Sequence, residues 1–588
     1  MTDPIRIANC SGYFGDRSSA AREMVEGGPI DVLTGDWLAE LTMLILSRIR
    51  AKKAGGGFAG TFVKQMDEVM GTCLDQGIKV VTNAGGLDPG NCAEAVAEVA
   101  DKLGLQPTIA WVGGDDLMSR LDELNQTGAL RPFDGAPLDI EGLITASAYL
   151  GCWGIVDALN RGADIVITGR VTDAAVVCGP AAWHHGWGRD DLNQLAGAVA
   201  AGHVIECSGQ ATGGNYSFFH EIQGLDEVGG RARFGYPWAE IAADGSSIIG
   251  KHDGTGGTVN VGTVTSQLLY EIGDPAYPGP DVTARFDAST LEQIGPDRVR
   301  IAGTLGESPP ATLKVATNRI GGYRNSVTLG LVGLDIEAKA ALCEAVFWDA
   351  FPYSAEELDD VSIELSRTDH VDPTSNDAAT ARWTITVKDT DAQKVGRPFS
   401  NAVFQTALAS IPGMHGLSGG PRAADPFGVY QPAAIDRELV PAYVHLLGGE
   451  TTVIDSSVPA AAEVDVEQIS TASPSDEEIT QRLPLGTLFG ARSGDKGGNA
   501  NVGVFARTAE AWEWLDQFLT IEKLQELLPE AAELHVDRYR LPRIHSLNFV
   551  IHDLLGEGVA ASTRPDAQAK SLGEWLRARH VEIPSRLL

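Results

Sequence analysis

The stretch Asp164-Ile-Val-Ile-Thr-Gly-Arg-Val-Thr-Asp173 places a short apolar run directly before a polar turn. A short apolar run that ends in such a turn is typical of a buried strand in a parallel sheet. The pattern therefore predicts that Arg170 emerges at the end of a strand, while Thr172 or Asp173 caps a following helix. An arginine in this position suits a carboxylate or phosphate ligand, and the alternative is an ion pair with Asp173.

The same strand-and-turn pattern recurs through the first 170 residues. Strands are predicted at 5–8, 30–33, 78–81, 108–112 and 164–168, and helices at 20–26, 38–50, 62–76, 92–103 and 144–161. This alternation indicates an α/β fold, in which helices cover the faces of a parallel sheet. Ligands of such folds bind beyond the carboxyl ends of the strands, which directs attention to 9–15, Asp36, 83–88, 113–116 and 169–173.

The segment 82–91 (Thr-Asn-Ala-Gly-Gly-Leu-Asp-Pro-Gly-Asn) follows one predicted strand and opens the helix after it. Its polar side chains, Asn83 among them, suit helix capping. Alternatively, Asn83, Gly85 and Gly86 contact an anionic substrate at the helix N-terminus, where backbone N–H groups are free. Both readings stay open from the sequence.

A helix predicted at 192–207 is followed by two glycine-rich segments, 208–216 and 250–258. Glu206-Cys207 and His252 are acid–base candidates, because a histidine in a polar loop titrates near neutral pH. Gly256 and Gly257 are predicted to contact the substrate. An ordinary turn is the alternative for the His252 loop.

The segment Arg492-Ser-Gly-Asp-Lys-Gly-Gly-Asn-Ala-Asn501 stands between two apolar runs, at 485–491 and 502–505. We interpret it as a polar turn between two strands. Its glycines let the backbone approach a ligand closely. Arg492, Lys496 and Asn499 would then bind an anion, with Lys496 also a catalytic candidate; a solvated turn is the alternative.

The pattern along the chain predicts an α/β core domain at 1–310 and an α+β region at 311–456. A linker is predicted at 457–483, where alanine, serine, proline and acidic residues show little periodicity. A compact α+β domain is expected at 484–588.

The net charge of −34 disfavours binding to nucleic acid and to anionic membranes. The sequence shows no signal peptide and no apolar run long enough to span a bilayer. Seven scattered cysteines are typical of a reducing compartment. We therefore expect a cytoplasmic protein whose partner is a small anionic molecule, and a large acidic metabolic enzyme of this kind is often a homo-oligomer.

Familiar cofactor motifs lack their required context. The segment 55–60 fits G-x-G-x-x-G but follows a basic helical stretch, and 416–420 fits G-x-S-x-G around Ser418 but precedes a proline. The sequence has no Walker A motif and no zinc-ligand spacing, so nothing specifies NAD, ATP or zinc. A divalent metal such as Mg²⁺ on the strand-end aspartates leaves no spacing signature and stays open.

Several motifs together resemble one known family. They are Ser11-Gly-Tyr-Phe-Gly-Asp16, Asp36-Trp-Leu-Ala-Glu40, Asn83-Ala-Gly-Gly86, 162–173, 203–214, Gly254-Thr-Gly-Gly257, Glu271-Ile-Gly-Asp-Pro275 and 491–499. In this order they resemble the acyclic terpene utilisation family AtuA, and the C-terminal part resembles that family's ferredoxin-like domain. The resemblance implies bacterial breakdown of terpene-derived or branched acids as CoA thioesters, and it implies no particular catalytic residues.

Two functions from different classes follow. The first is an enzyme that hydrates or cleaves a carbon–carbon bond in a branched acyl-CoA or 3-hydroxy acid, with Asp36, Asp173 or His252 as base and Arg170 binding the anion. Lys496 and Arg492 would reach the same cleft from the C-terminal domain. The second is a non-catalytic scaffold or accessory subunit of an acyl-CoA carboxylase or similar complex. A cleft that joins Arg170, Asn83 and Asp36 favours the first.

Overall fold

The computed structural model describes residues 2–222, 233–408, 411–417, 422–460, 462, 464–466 and 479–588. The chain divides into two compact units, each defined by the contacts among its own residues. The first comprises Met1–Asn318, Tyr430–Val559 and Asp566–Leu588, and the second comprises Arg319–Val429 and Ala560–Pro565. The chain is an α/β protein, as the sequence predicts.

An eleven-stranded mixed sheet forms the centre of the first unit. Its parallel part contains, in spatial order, Ile5–Asn9, Val32–Gly35, Lys79–Thr82, Ile165–Thr168 and Ile109–Gly113. Antiparallel strands extend both edges: Pro237–Ile241, Ser247–Lys251, Arg298–Ala302 and Thr290–Gly295 on one side, Tyr443–Leu446 and Thr451–Val453 on the other. The carboxyl ends of the five parallel strands therefore share one edge of the sheet.

Helices cover this sheet with apolar faces. They span Ala20–Gly27, Glu40–Lys52, Gly60–Gln76, Pro89–Leu103, Leu121–Gln126, Trp153–Asn160, Ala175–His185, Leu192–Ile205 and Val261–Leu268. The helix Leu192–Ile205 is buried along nearly its whole length. It is rich in alanine and glycine, which lets neighbouring backbone approach: a Cβ at Gly197 would lie 2.1 Å from the carbonyl oxygen of Gly245.

The predicted helix at 144–161 is wrong in its first half. Residues Leu143–Ala148 form a strand, and the helix begins only at Trp153. In the strand Leu-Ile-Thr-Ala-Ser-Ala, Thr145 and Ser147 lie on one face and apolar residues on the other, and its last four residues are buried. Periodicity alone does not separate such a run from a buried helical turn.

Shorter strands of the first unit lie at Arg131–Pro132, Ala276–Pro278, Thr283–Arg285 and Leu305–Glu307. A long strand, Thr312–Val332, starts in this unit, and Asp425–Asp436 ends in it. The second unit contains the strands Asp360–Ser366, Thr380–Asp389 and Met414–Gly416 and the helices Ile336–Ala350, Ala392–Val395 and Arg397–Gln405. Trp383, Phe347 and Phe399 lie in its apolar core.

The C-terminal part forms a four-stranded antiparallel sheet in the order Phe489–Lys496, Asn499–Ala506, Ser546–Ile551 and Val536–Leu541. The strands Thr480–Pro484 and His580–Pro584 pair beside it, and its helices are Ala509–Phe518, Ile521–Leu527 and Leu572–Ala578. The polar segment 492–501 is wrong as a ten-residue turn. Both strands continue through it, and Lys496 pairs with Asn499 across Gly497 and Gly498.

The predicted domain limits at 310, 456 and 483 stay a prediction. Part of the predicted linker 457–483 and the predicted Ser418 motif lie outside the described residues. Among the residues that the structure describes, no helix combines the length and the apolar composition needed to cross a membrane.

Candidate functional site

Polar residues follow the parallel strands directly, at the shared edge of the sheet. Asp36, Asn83 and Arg170 come after Val32–Gly35, Lys79–Thr82 and Ile165–Thr168. The Asn83 side chain joins two of these ends: its Nδ2 donates to Asp36 Oδ1, and its Oδ1 accepts from the backbone N–H of Trp37 at 2.8 Å. Asn83 therefore orients the Asp36 carboxyl, and Asp36 is 4% exposed.

Arg170 is the buried cation of the site, with 2% of its surface exposed. Its Nη1 donates to Asp173 Oδ1 at 2.7 Å, and its guanidinium lies 4.1 Å from the ring centre of Tyr149. Its backbone N–H donates to Asp115 Oδ2 at 2.8 Å. The predicted ion pair with Asp173 exists, and the pairing leaves the Arg170 Nε without a hydrogen-bond partner.

Glu40 begins the helix Glu40–Lys52 and stands beside Arg170. Its Oε1 accepts hydrogen bonds from Tyr149 Oη at 2.8 Å and from Lys314 Nζ at 3.1 Å, and Tyr430 Oη lies 3.4 Å away. Burial opposes ionisation of this carboxyl, but Lys314 and Arg170 together hold the pKa of Glu40 well below its usual range. Glu40 is thus an anion that ties a second cation, Lys314, to the cleft.

The C-terminal sheet adds a lysine to the same place. Asn501 Oδ1 accepts from the Glu271 N–H at 2.9 Å, and Asn501 Nδ2 donates to the Leu269 carbonyl at 2.7 Å. Asn548 Nδ2 donates to the Gly273 carbonyl at 2.7 Å. These amides fix the sheet against the backbone of 269–273, and Lys496 Nζ then donates to the Glu271 carbonyl at 2.9 Å.

A further cation, Lys570, stands on the Glu271 carboxylate. Lys570 Nζ lies 2.6 Å from Glu271 Oε1 and 3.8 Å from Asp495 Oδ1, and it also contacts Tyr270 Oη. Arg492 also contacts Tyr270, with its guanidinium 4.1 Å from the centre of the ring. Its Nη2 donates to Gln210, and the side chain is buried.

The charged side chains line a cleft that water can enter. Asp173, Glu40 and Lys314 keep 32%, 33% and 34% of their side-chain surface accessible. Burial nevertheless raises the pKa of Asp173, against the opposing effect of Arg170. Asp173 is therefore partly exposed to solvent and partly enclosed by its charged neighbours.

In this cleft the pKa values of two carboxyl groups are raised and that of one amine is lowered. Burial and repulsion from Asp173 raise the pKa of Asp36 well above its usual range. Burial and the nearby Glu271 raise the pKa of Asp495 to about 7. Loss of hydration and repulsion from Lys314 lower the pKa of Lys496, although its side chain is exposed at the end of the hairpin. The pKa values of Asp36 and Asp495 are thus raised and that of Lys496 is lowered, while Glu40 stays an anion.

Glu206 and His203 complete the wall formed by the helix Leu192–Ile205. His203 Nδ1 lies 3.3 Å from Glu206 Oε1. Burial and the positive Lys496 lower the pKa of His203 to about 4, so its ring is neutral at pH 7. Burial, with repulsion from Asp173 and Glu271, raises the pKa of Glu206 well above its usual range.

The structure brings five of the predicted residues together: Asp36, Asn83, Arg170, Asp173 and Lys496. The pKa of Lys496 responds to Asp173 and that of Asp36 to Arg170, which places the two halves of the site within electrostatic reach. Arg492 belongs to the adjoining Tyr270 group.

His252 occupies a different part of the sheet. Its Nε2 bonds to the Met24 carbonyl at 2.9 Å, and its ring packs on Gly27 and Gly28. Burial lowers the pKa of His252, and the charges that act on it come from Arg6, Asp253 and Arg298. The described contacts of His252 therefore include no residue of the cleft.

In the described contacts, the predicted glycines allow neighbouring backbone to pack closely. A Cβ at Gly85 would lie 2.5 Å from the Thr168 carbonyl oxygen, and Gly86 has a φ of +54°. Gly257, at φ +81°, would place a Cβ 2.4 Å from the Thr212 carbonyl oxygen, and the neighbouring Gly256 carbonyl accepts from Gly235. Asn499 Oδ1 accepts from the Asp553 N–H at 2.9 Å and shapes the hairpin end.

Sequence reasoning missed several cleft residues. Lys314, Tyr149, Tyr430 and Lys570 lie in ordinary strand or loop sequence with no local signal. Glu40 and Glu271 fall within the quoted family motifs, so those motifs held a signal for both. Their roles become visible only when distant segments meet.

This arrangement agrees with comparison by family models. The model described as acyclic terpene utilisation family protein AtuA matches residues 5–446, and the AtuA ferredoxin-like domain matches residues 483–582. The chain belongs to the AtuA family. Searches among curated proteins and among solved structures found no match. The AtuA family is associated with acyclic terpene utilisation, and the Asp36–Lys496 cleft takes residues from both of its matched regions.

Proposed function

We propose that this AtuA protein is a catabolic enzyme acting on a branched or terpene-derived acyl-CoA or related carboxylic acid. The reaction class is hydration or carbon–carbon cleavage at a 3-hydroxy acyl group. The observation that carries the proposal is geometric: Asn83 holds Asp36 beside the Arg170–Asp173 pair, and Lys496 is anchored on the Glu271 carbonyl within electrostatic reach of Asp173. The pKa shifts of Asp36 and Glu206, which are raised, and of Lys496, which is lowered, support it.

Both reactions pass through an enolate of the acyl group, formed next to the thioester carbonyl. In the hydration of an unsaturated thioester, water adds at C3 and a proton is delivered at C2. In cleavage, a base removes the 3-hydroxyl proton, the C2–C3 bond breaks, and an acid protonates the enolate carbon. One neutral base and one protonated acid on the same cleft are therefore the minimum set for either reaction.

Lys496 is the proposed base, because a neutral amine accepts a proton and its lowered pKa increases the neutral fraction. Asp36 is the proposed acid, held in place by Asn83. Lys314 and Arg170 supply positive charge for the substrate carboxylate or for the developing enolate. Lys314 Nζ lies over the rings of Tyr149 and Tyr430, whose hydroxyls are directed at Glu40 and so hold these two rings beside the lysine.

Exchange of the C2 hydrogen in D₂O tests both reaction directions, because each requires an enolate. The protein would be incubated with a panel of saturated, unsaturated and 3-hydroxy branched acyl-CoAs, and deuterium incorporation and product masses measured. We expect exchange or turnover with at least one thioester. Asp36→Asn, which cannot donate a carboxylic proton, should lose it.

Asp253→Asn is the matched control. Its side chain is 97% exposed, so the same chemical change there should leave the rate unaltered. Absence of exchange and of product across the panel, with a folded wild-type protein, would reject the enzyme proposal. The non-catalytic scaffold or accessory subunit of an acyl-CoA carboxylase complex would then be the remaining hypothesis, to be tested by binding to such subunits.

A further inference from the structure

A second cluster of titratable side chains lies on the C-terminal sheet, separate from the residues that line the cleft. It consists of His535, Asp537 and His552. His535 Nε2 lies 3.1 Å from Asp537 Oδ1, and His552 Nε2 lies 2.8 Å from Asp537 Oδ2. One ligand-type atom from each of the three residues falls within 4.8 Å of the others.

Strand geometry holds the three side chains on one face. Asp537 follows His535 by two residues, so both point to the same side of the extended chain. The backbone N–H of His552 donates to the His535 carbonyl at 3.0 Å, which continues the pairing of Val536 with Ile551. The two imidazoles are therefore cross-strand neighbours, with ring centres 4.9 Å apart.

We propose that His535, Asp537 and His552 bind a Zn²⁺ ion. Two imidazole nitrogens and one carboxylate oxygen are a common zinc set, and the fourth position is left to water. Zinc–ligand bonds of about 2.0–2.2 Å in a tetrahedron place neighbouring ligand atoms about 3.3 Å apart. The two nitrogen–oxygen separations lie within half an ångström of that spacing, but they end on different oxygens of Asp537, so the side chains must rotate to bring one oxygen between the two rings.

A bound metal ion would take the positions of the protons in the hydrogen bonds of this cluster. Zinc takes the place of the ring proton that each imidazole shares with the Asp537 carboxylate. Tyr539 Oη lies 3.4 Å from Asp537 Oδ2 and orients the carboxylate from outside the metal shell. Imidazole ligands favour Zn²⁺ over Mg²⁺ or Ca²⁺.

Zinc titration of the full-length, tag-free chain by calorimetry tests this site. Metal would first be removed with a chelator, and the number of bound equivalents compared among variants. We expect wild type to bind one more Zn²⁺ than His552→Ala or Asp537→Asn, or to bind that equivalent at least about tenfold more tightly, the minimum loss seen even for outer-shell changes. His580→Ala removes another exposed histidine of the same region and should match wild type.

Two results would overturn the proposal. One is a wild-type chain that binds no Zn²⁺ equivalent. The other is a folded Asp537→Asn protein whose stoichiometry and affinity equal those of wild type, because the zinc would then be bound elsewhere. Circular dichroism checks that both variants are folded, and the two independent variants separate ligand loss from a folding defect. Repeating the titration with Mg²⁺ should give no equivalent that depends on Asp537.

Discussion

The cleft around Arg170 and the loop at 250–258 contain the same residue types, yet their charges are satisfied in different ways. In the loop, Lys251 Nζ pairs with Asp297 at 3.0 Å and donates to the Thr255 carbonyl at 2.8 Å. His252 is bonded to a backbone carbonyl. In the cleft, Lys496 faces a second lysine, Lys314, strongly enough for their repulsion to lower its pKa.

The difference shows what separates a charged turn from a candidate catalytic site. In the loop, Lys251 has an ion-pair partner of its own, which stabilises the local fold. In the cleft, like charges lie near one another, and their mutual repulsion adds to the loss of hydration in shifting the pKa values of Asp36 and Lys496. Residue type alone makes Lys251 and Lys496 equivalent; their neighbours make them different.

The largest effect is expected from removing the amine of Lys496. Lys496→Met should lower the rate of C2 hydrogen exchange about 100- to 10,000-fold, the usual contribution of a general base. Lys251→Met makes the same change in the 250–258 loop and should keep the rate of its folded protein. If both variants lose the exchange rate equally, in samples whose folded fraction has been checked, then Lys496 in the cleft and Lys251 in the loop do not differ in function.

Removal of the buried cation should mainly affect stability. Arg170→Met leaves Asp173 and Asp36 without their nearest positive charge and should destabilise the chain by about 3 kcal/mol. That is the lower end of the range for a broken buried pair, because Asp173 remains in contact with solvent. Urea unfolding measures the loss.

The control for this change is Arg120→Met, which breaks an exposed pair with Glu123. Its cost should stay below about 1 kcal/mol. A cost for Arg170→Met no larger than that of Arg120→Met would mean that the cleft carboxyls do not depend on Arg170. At pH 5 the difference in lost unfolding free energy between the two variants should be smaller, because protonated carboxyl groups do not need a nearby cation.

The smallest effect is a displacement of the pH profile. If neutral Lys496 is the base, the exchange rate rises with pH through the pKa of Lys496. Lys314→Met removes a like charge that lowers this pKa, so the rise should move to higher pH. Glu271→Gln removes an opposite charge that raises it, so the rise should move to lower pH. Displacement of both profiles in one direction would assign the titration to another group.

Much of the fold follows from local pattern. The predicted strands near 5–8, 78–81 and 164–168 agree with Ile5–Asn9, Lys79–Thr82 and Ile165–Thr168 to within one residue or so at each end. In these three segments, short apolar runs bounded by polar turns correctly indicate strands. The segment 143–161 was predicted wrongly because a short, largely buried strand and a largely buried helix that follow each other are hard to separate by periodicity.

The residues of the candidate site also fall into those that local sequence predicts and those that it does not. Asp36, Asn83 and Arg170 were predictable, because parallel strands deliver their carboxyl ends to one edge and the residue after each strand can be identified in the chain. His252 stays a prediction: a histidine in a glycine-rich loop resembles a proton carrier, but its described contacts are with the Met24 carbonyl and with Gly27 and Gly28 and include no cleft residue. Lys314 and Lys570 had no signal of their own.

By itself the sequence determined the family, the α/β class and the strand ends at which the polar residues collect, because all three depend on local order along the chain. Only the tertiary structure decided which polar residues act on one another. Lys496 and Arg170 are more than 300 residues apart, and the asparagine contacts of the C-terminal sheet with 269–273 bring them into one electrostatic environment. Protonation depends on distance in space, and local sequence does not encode that distance.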